Sequence, residues 1–287
     1  AFPAVLQSAS AADSWAQFRG PNSQGVAETA DFALNWKIAD CKWRVLLPGS
    51  GACSPVIDAG QIFIMSGLED GTRVIRCLNA EDGSLIWKRS FESHESSMHT
   101  TNSYAPSTPT VDEERVYLNW GSSDDYHVVA LTRDRGDVVW EKNVGKFPAK
   151  HGFGASMAII GGKLIVPCDA DADSFILAMD PATGDTVWNT PIASKEASYV
   201  TPVLYQPEGG KPQIVLSGWG EGPFGLDLET GKKLWNLPIM NYRSVACPVL
   251  IGDLMFVCGG SGGIGQQMFC VQPGVPELGR EAKVVYE

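Results

Sequence analysis

Hydrophobic residues occur along the chain in short runs, and residues typical of tight turns separate the runs. One stretch shows the pattern clearly, with apolar runs at Ala158–Ile160, Leu164–Val166, Phe175–Met179 and Thr186–Trp188. These runs are short and rich in β-branched and aromatic residues, which favours strands over helices. The pattern therefore predicts units of four short antiparallel strands joined by hairpins.

This four-strand unit repeats. Four segments share an ending in which a glycine stands four residues before a tryptophan, namely Leu78–Trp87, Leu131–Trp140, Met179–Trp188 and Leu226–Trp235. The tryptophans lie 53, 48 and 47 residues apart. Glycine in this turn supplies the positive φ that a tight hairpin needs. A period of this length is typical of propellers and solenoids.

A second column of residues keeps the same register, and it consists of Pro55, Pro109, Met157, Pro202 and Pro248. These residues precede the next tryptophan by 32, 31, 31 and 33 positions in the first four copies. A fifth copy starts at Cys247 and ends near Tyr286, with tyrosine in place of tryptophan. Small sheets bury both faces when they stack radially, so the sequence predicts an all-β propeller of four-stranded antiparallel blades, with five repeats visible.

Each repeat tryptophan ends the outermost strand of its blade. A side chain of this size is expected to fill the gap between neighbouring blades, with its indole N–H donating to a backbone carbonyl. One tryptophan per repeat favours this structural role over ligand stacking. The predicted blade wedges are Trp87, Trp140, Trp188 and Trp235.

The repeat ending A-[LM]-D-x-x-T-G-x-x-x-W, with Pro-Val strands upstream, resembles the PQQ-like propeller repeat. That repeat occurs in quinoprotein alcohol dehydrogenases, in the outer-membrane assembly scaffold lipoprotein of Gram-negative bacteria, and in a large set of exported proteins. Trp15–Asn22 resembles the W-x-Q-F-R-G-P-N opening of the last set, as do Asn102–Pro106 and His151–Gly154. The resemblance covers Trp15–Glu287 and is specific for the fold rather than for an activity.

Residues 1–12 are apolar and rich in small residues, and Ala9-Ser10-Ala11 has the A-x-A form that signal peptidase cuts after. We interpret 1–12 as a signal-peptide remnant or disordered terminus, 13–42 as an N-terminal arm and 43–287 as propeller repeats. This predicts an exported protein, periplasmic or extracellular. Lys42–Leu46 has the pattern of an outer strand, which in such propellers completes the last blade. Two possibilities stay open: a closed five-bladed ring, or part of a seven- or eight-bladed ring.

The net charge of -11 makes nucleic acid an unfavourable partner, because the average field of the protein repels phosphates. The sequence contains no apolar run long enough to predict a transmembrane segment. Seven cysteines without a C-x-x-C motif disfavour zinc and thioredoxin-like sites. We expect four reduced cysteines buried in strands, namely Cys77, Cys168, Cys258 and Cys270. Cys41 and Cys53 form the one sequence-near pair to test as a disulfide.

Two histidines precede the innermost strand of a blade and could therefore face the central channel. His99 and His151 both lie in connections between blades. The functional interpretation is a polar ligand pocket at the channel rim, formed by His99, Asn102, Tyr104 and His151. The alternative is that the same loops form hydrogen bonds that tie neighbouring blades together. The basic residues expected near the channel are Arg115, Lys150 and Arg243.

Asp169, Asp171 and Asp173 place three carboxylates at alternate positions, which makes them a weak candidate for a calcium site. An EF-hand loop needs glycine and glutamate where this chain has Ser174 and Asp180. A solvated acidic turn is the alternative interpretation. We expect this turn on a face away from the loops between blades.

The sequence contains no nucleophile elbow, P-loop, H-E-x-x-H motif or dinucleotide fingerprint. The resemblance to quinoproteins implies an adjacent cysteine pair over a quinone and a Ca²⁺ ion beside an aspartate, but no such cysteine pair is present. We therefore expect no catalytic residues and no cofactor, with PQQ and calcium as alternatives. The predicted function is an exported non-enzymatic module that binds or scaffolds a protein or small molecule. The alternatives are a PQQ-dependent oxidoreductase of alcohols or sugars and a carbohydrate- or peptide-binding sensor.

Overall fold

The computed structural model describes residues 14–27, 35–94, 96–261 and 264–287. The proposed signal-peptide remnant at 1–12 lies outside these residues. The described chain forms five antiparallel sheets of four strands each, and the strands of every sheet follow one another in sequence order. Within the same residues, no helix is long and apolar enough to cross a membrane. The predicted all-β propeller of four-stranded blades is confirmed.

The strands are numbered in chain order. Blade 1 consists of β1 (Val56–Asp58), β2 (Gln61–Gly67), β3 (Arg73–Asn79) and β4 (Leu85–Phe91). Blade 2 consists of β5 (Thr110–Val111), β6 (Arg115–Gly121), β7 (Tyr126–Thr132) and β8 (Val138–Asn143). Blade 3 consists of β9 (Ala158–Ile160), β10 (Lys163–Cys168), β11 (Ser174–Met179) and β12 (Thr186–Ile192). Blade 4 consists of β13 (Val203–Tyr205), β14 (Gln213–Gly218), β15 (Gly222–Asp227) and β16 (Lys233–Asn236). Blade 5 consists of β17 (Val249–Ile251), β18 (Leu254–Ser261), β19 (Ile264–Gln272) and β20 (Lys283–Tyr286).

The first strands of successive blades contact one another, β1 with β5, β5 with β9 and β9 with β13, so these strands line the central axis. Because neighbouring strands are antiparallel, the links from one blade to the next emerge at the same end as the hairpins between second and third strands. We call this end the connection face. The remaining hairpins lie at the opposite end, which we call the hairpin face.

The repeat tryptophans lie in the seams between blades. Their side chains are buried, at 7–8% exposure. Three indole N–H groups donate to a carbonyl of the next blade: Trp87 to Arg133 (2.9 Å), Trp140 to Pro181 (3.0 Å) and Trp188 to Leu228 (3.2 Å). Trp235 differs, because it donates at 2.7 Å to the Gln213 side chain of its own blade. The Gln213 amide then donates to Gly274 of blade 5 at 2.9 Å.

The repeat glycine has a second role beyond its turn. In three seams the tryptophan ring lies directly on the glycine of the next blade, so that a Cβ atom at Gly136, Gly184 or Gly231 would lie 2.5–2.7 Å from ring carbon atoms. These glycines also have φ near +70°. The glycine of one repeat and the tryptophan of the preceding repeat therefore form one packing unit across the seam.

The segment before blade 1 makes the same tryptophan–glycine contact without forming a strand. The Trp43 indole donates to the Ala80 carbonyl at 3.0 Å and lies on Gly83. Residues 42–47 nevertheless form no backbone pairing with a described strand. The expectation of an outer strand at Lys42–Leu46 is therefore wrong. At the other end of the repeats, Tyr286 is 50% exposed and fills no seam between described blades.

The cysteines follow the strand prediction with one exception. Cys77, Cys168 and Cys270 are buried, and burial raises the pKa of Cys77 to about 12. Cys258 is exposed, against expectation, because its strand position points away from the buried Val257 and Phe269. All seven cysteines are free, so Cys41 and Cys53 form no disulfide.

An N-terminal arm, Trp15–Gln24, runs along the inner edges of the blades. Trp15 pairs with Ile57 of blade 1 through two backbone hydrogen bonds, at 2.6 and 3.1 Å. The Ala16 carbonyl accepts the amide of Val111 in blade 2 at 2.8 Å. The Gln17 side-chain oxygen accepts the amide of Ile159 in blade 3 at 3.3 Å.

The arm continues to blades 4 and 5 through two carboxamides. The Asn22 amide donates to the Leu204 carbonyl at 2.9 Å, and its oxygen accepts the Leu204 N–H at 2.7 Å. Gln24 accepts the Leu250 N–H at 2.8 Å and donates to the Pro248 carbonyl at 3.2 Å. A carboxamide carries the same donor and acceptor as a peptide group, so these side chains act as short strand partners. The arm thereby contacts all five blades in order.

The seam arrangement predicts a large loss of stability when a repeat tryptophan is removed. Trp140→Ala or Trp188→Ala leaves a cavity in a seam and an unpaired carbonyl, so each should lower the free energy of unfolding by about 3–5 kcal/mol. Trp36, which is 67% exposed, is the matched control and should change it by less than about 0.5 kcal/mol when replaced by alanine. Urea denaturation measures both. Equal small losses for seam and control variants would contradict the packing unit.

Candidate functional site

Four successive links between blades converge at the connection face. They surround an open cavity of about 650 Å³. His99 and Asn102 come from the first link, His151 from the second, Tyr199 from the third and Arg243 from the fourth. A volume of this size lies within the range of small-molecule sites. The fold therefore brings polar side chains from separate repeats together around one cavity.

The first two links are joined by hydrogen bonds and by contact between histidine rings. The Asn102 amide donates to the carbonyls of His151 and Phe153 at 2.8 and 3.0 Å. The rings of His99 and His151 lie 5.4 Å apart, tilted by 60°. Asn102 therefore ties the two links together, and the two imidazoles line the cavity, where ligand binding stays a prediction.

Two residues expected near the channel lie elsewhere. Tyr104 packs against Gly67 of blade 1, and the Arg73 guanidinium lies 4.9 Å from the centre of its ring. It does not line the cavity, so its assignment to the shared pocket is wrong. Arg115 begins β6 at the hairpin face, where it pairs with Glu114 at 2.7 Å.

The cavity is rich in basic groups. Arg243 is buried and pairs with Glu196, whereas Lys150 is exposed and has no salt bridge within the described part of the chain. Partial burial lowers the pKa of His151, and the nearby Arg243, His99 and Lys150 lower it further, against an opposing effect of Glu196. Burial is the largest cause of this shift, and the three basic neighbours add to it.

Tyr199 lines the cavity from the third link. Its ring contacts Gly154, where a Cβ would lie 2.9 Å from a Tyr199 ring carbon, and it lies 6.3 Å from the Phe147 ring. Its hydroxyl is buried and has no hydrogen-bond partner of ordinary geometry among the described residues. Burial is the main reason that its pKa is raised to about 12, so the hydroxyl keeps its proton at neutral pH. The group is a free donor beside Arg243.

The acidic turn between β10 and β11 lies at the connection face, contrary to expectation. Both Asp171 carboxylate oxygens accept backbone amides from the links, Lys150 N–H at 2.8 Å and Ala197 N–H at 2.6 Å. The antiparallel order explains this position, since the second hairpin of a blade and the links share one end. Among the described residues, no group of three acidic, histidine or cysteine side chains could hold a metal ion, Asp169 and Asp173 included.

Tyr199, Glu196 and Val245 are among the lining residues that the sequence did not single out. The third and fourth links contain no histidine to draw attention to them. Their place in the repeat could have identified them, because each lies a few residues before Pro202 or Pro248, the repeat position that precedes an innermost strand.

The family of the chain follows from a sequence comparison. Residues 36–257 match the family model described as outer membrane protein assembly factor BamB. The chain belongs to this BamB family. Because the match spans most of the repeats, it accounts for the propeller, but it does not identify a ligand for the cavity.

Solved structures show the same fold at low sequence identity. BamB from Moraxella catarrhalis is 18% identical with a TM-score of 0.57, and the match covers 85% of this chain and 66% of that chain. The quinohemoprotein alcohol dehydrogenase ADHIIG from Pseudomonas putida HK5 is 12% identical with a TM-score of 0.59, covering 96% of this chain and 48% of that one. The chain thus spans about two thirds of the first structure and half of the second.

Curated relatives match over a shorter stretch. The quinoprotein ethanol dehydrogenase of Pseudomonas putida is 28% identical over 117 residues, which cover 38% of this chain and 18% of the relative. The quinoprotein glucose dehydrogenase of Escherichia coli K12 is 27% identical over 119 residues, which cover 37% of this chain and 14% of the relative. The chain therefore spans less than a fifth of these relatives.

Asp169 gives the connection face a pH-dependent stability. This carboxyl is buried between blades 3 and 4, and burial is the main reason that its pKa is raised from 3.8 to about 6. The neutral form is favoured on folding, so the stabilisation is present below the unfolded pKa and is lost as pH rises through the folded pKa. Relative to Asp169→Asn, the wild-type protein should lose up to about 3 kcal/mol between about pH 4 and pH 7.

Urea denaturation across this pH range measures the effect. Asp173→Asn is the control, because Asp173 is exposed in the same turn and should show the pH profile of the wild type. Parallel profiles for Asp169→Asn and the wild type would contradict the burial of a titrating carboxyl.

Proposed function

We propose that this protein is a non-enzymatic binding module that holds a small ligand in the cavity of the connection face. The observation that carries the proposal is the convergence of four successive links on one cavity of about 650 Å³. Links are free to vary while the blades hold them in place, which suits them to ligand binding. The cavity contains hydrogen-bond donors from several blades, and on its lining the Thr101 hydroxyl lies 2.9 Å from Nδ1 of His99.

We also propose that the protein works outside the cytoplasm. The A-x-A sequence at Ala9–Ala11 and the family name, which refers to outer membrane protein assembly, support an exported protein. Scaffolding of a protein partner is the neighbouring possibility suggested by that name. The concave cavity of about 650 Å³, lined by both polar and apolar side chains, favours a small ligand over a flat protein surface.

The quinone cofactor of the dehydrogenase relatives does not fit the described residues. Its chemistry requires a flat stacking surface, converging donors and a metal that polarises the reactive carbonyl. The His99 and His151 rings are tilted by 60° rather than parallel. Both Asp171 oxygens are occupied by backbone amides, and the sequence has no adjacent cysteines. The oxidoreductase alternative therefore has no support from this geometry.

A ligand screen tests the binding proposal. Thermal unfolding should be followed with a panel of organic acids, sugars, amino acids and short peptides. We expect at least one compound to raise the Tm of the wild-type protein, and Val245→Trp to abolish the shift because Val245 is an exposed lining residue. Val139→Trp places the same bulk at the hairpin face, so the shift should persist in this control. Shifts that survive in both variants, or no shift with any compound, would contradict the proposal.

Reconstitution tests the non-enzymatic part. Incubation with PQQ and Ca²⁺ should produce no dye reduction that depends on added ethanol or glucose, because the described residues do not fit a quinone site. A quinoprotein dehydrogenase assayed in parallel is the positive control. Alcohol- or sugar-dependent dye reduction by this protein would replace the binding proposal with an oxidoreductase.

A further inference from the structure

The cavity lining is more basic than the protein as a whole. The chain carries a net charge of -11, yet His99, Lys150, His151 and Arg243 line the cavity together with a single described acid, Glu196. Arg243 and Glu196 pair with each other and largely cancel. Lys150 is left as the charged lining residue without a salt bridge among the described residues. A positive site in an acidic protein favours an anion there.

Tyr199 adds a directional donor to this positive site. Its hydroxyl is buried next to the Arg243 guanidinium, which can only donate, so the hydroxyl has no acceptor among the described residues. A buried hydroxyl without a partner is unfavourable, so a ligand that accepts this hydrogen bond gains affinity. An ionised acceptor makes the strongest such bond. The unpartnered donor and the excess of cations therefore point to the same ligand group, an oxyanion.

The rest of the lining favours an organic anion over an inorganic one. Phe153 and Val245 present apolar surface beside the donors, and Val245 is 57% exposed. A carbon skeleton can cover this surface while its charged end reaches Tyr199 and Lys150. Inorganic phosphate would leave the apolar part of the cavity in contact with water.

We propose that the cavity binds a small organic acid, whose carboxylate accepts a hydrogen bond from the Tyr199 hydroxyl and is attracted by Lys150, and by His151 once that imidazole is protonated. This inference rests on the proposed binding function and names its ligand class. Arg243 is a positioning residue, because its pair with the partly exposed Glu196 holds the third and fourth links together. The second link supplies Lys150 and His151, so the site requires links from several blades.

Titration calorimetry with benzoate tests the ligand class, and benzamide is its neutral analogue with the same ring. Benzoate should bind, and benzamide and inorganic phosphate should each bind at least roughly ten-fold more weakly, because neither combines a charged carboxylate with an apolar body. A hexaglutamate peptide tests the macromolecular alternative and should bind no better than benzoate. Equal binding of benzamide, or tighter binding of phosphate or the peptide, would overturn the proposal.

Two variants test the residues. Tyr199→Phe keeps the ring and its packing, and Lys150→Gln removes one exposed charge, so each should weaken benzoate binding roughly ten-fold without unfolding the protein. Lys142→Gln removes a lysine from an outer strand and should leave the affinity unchanged. Unchanged affinity in both cavity variants would place the bound acid elsewhere and overturn the assignment.

The pH dependence gives a readout that a purely structural role would not change. The groups that face His151 are Arg243, His99, Lys150 and Glu196. The lowered pKa of His151 moves its protonation below the usual imidazole range, and benzoate stays ionised down to about pH 5, so its affinity should rise several-fold as the pH falls from about 7 to about 5. His151→Gln should reduce the rise. A sugar that binds in the Val245-dependent screen while benzoate fails would overturn this inference and leave the binding function standing.

Discussion

The free inner edges of five small sheets face one axis, and their backbone groups need partners because a buried N–H or C=O without one is costly. The N-terminal arm meets this constraint blade by blade. Trp15 and Ala16 use backbone atoms for the first two blades, and Gln17, Asn22 and Gln24 use carboxamides for the others. Because side-chain carboxamides replace backbone atoms as partners after blade 2, a short segment can follow the inner strands from blade to blade.

The arm and the seams together determine where a site can form. The tryptophan–glycine seams lie toward the hairpin face, and the arm holds the inner strands. None of the arm residues is among those lining the cavity at the connection face. The links between blades are therefore anchored at both ends while their middles stay open to a ligand. Asn102 and Asp171 hold neighbouring links together, since Asn102 donates to the His151 carbonyl and Asp171 accepts the Lys150 N–H.

The sequence predicts the repeated parts of this molecule well, because a regular period reports a regular structure. It predicts the blades and places His99 and His151 in converging links. It does not predict the contacts of the arm, since Gln17 and Ile159 are 142 residues apart and Gln24 and Leu250 are 226 apart, with no repeat to relate them. Tyr199 was missed for a similar reason: its unpartnered hydroxyl is a property of burial rather than of any motif.

Amide hydrogen exchange tests most directly whether the arm closes the inner edges. The informative amides are Val111, Ile159, Leu204 and Leu250, each of which donates to the arm rather than to a strand. The account predicts protection of all four comparable to that of interior strand amides, with Gln24→Ala releasing Leu250 first. Rapid exchange of these four amides in the wild-type protein, beside protected neighbouring strands, would contradict it.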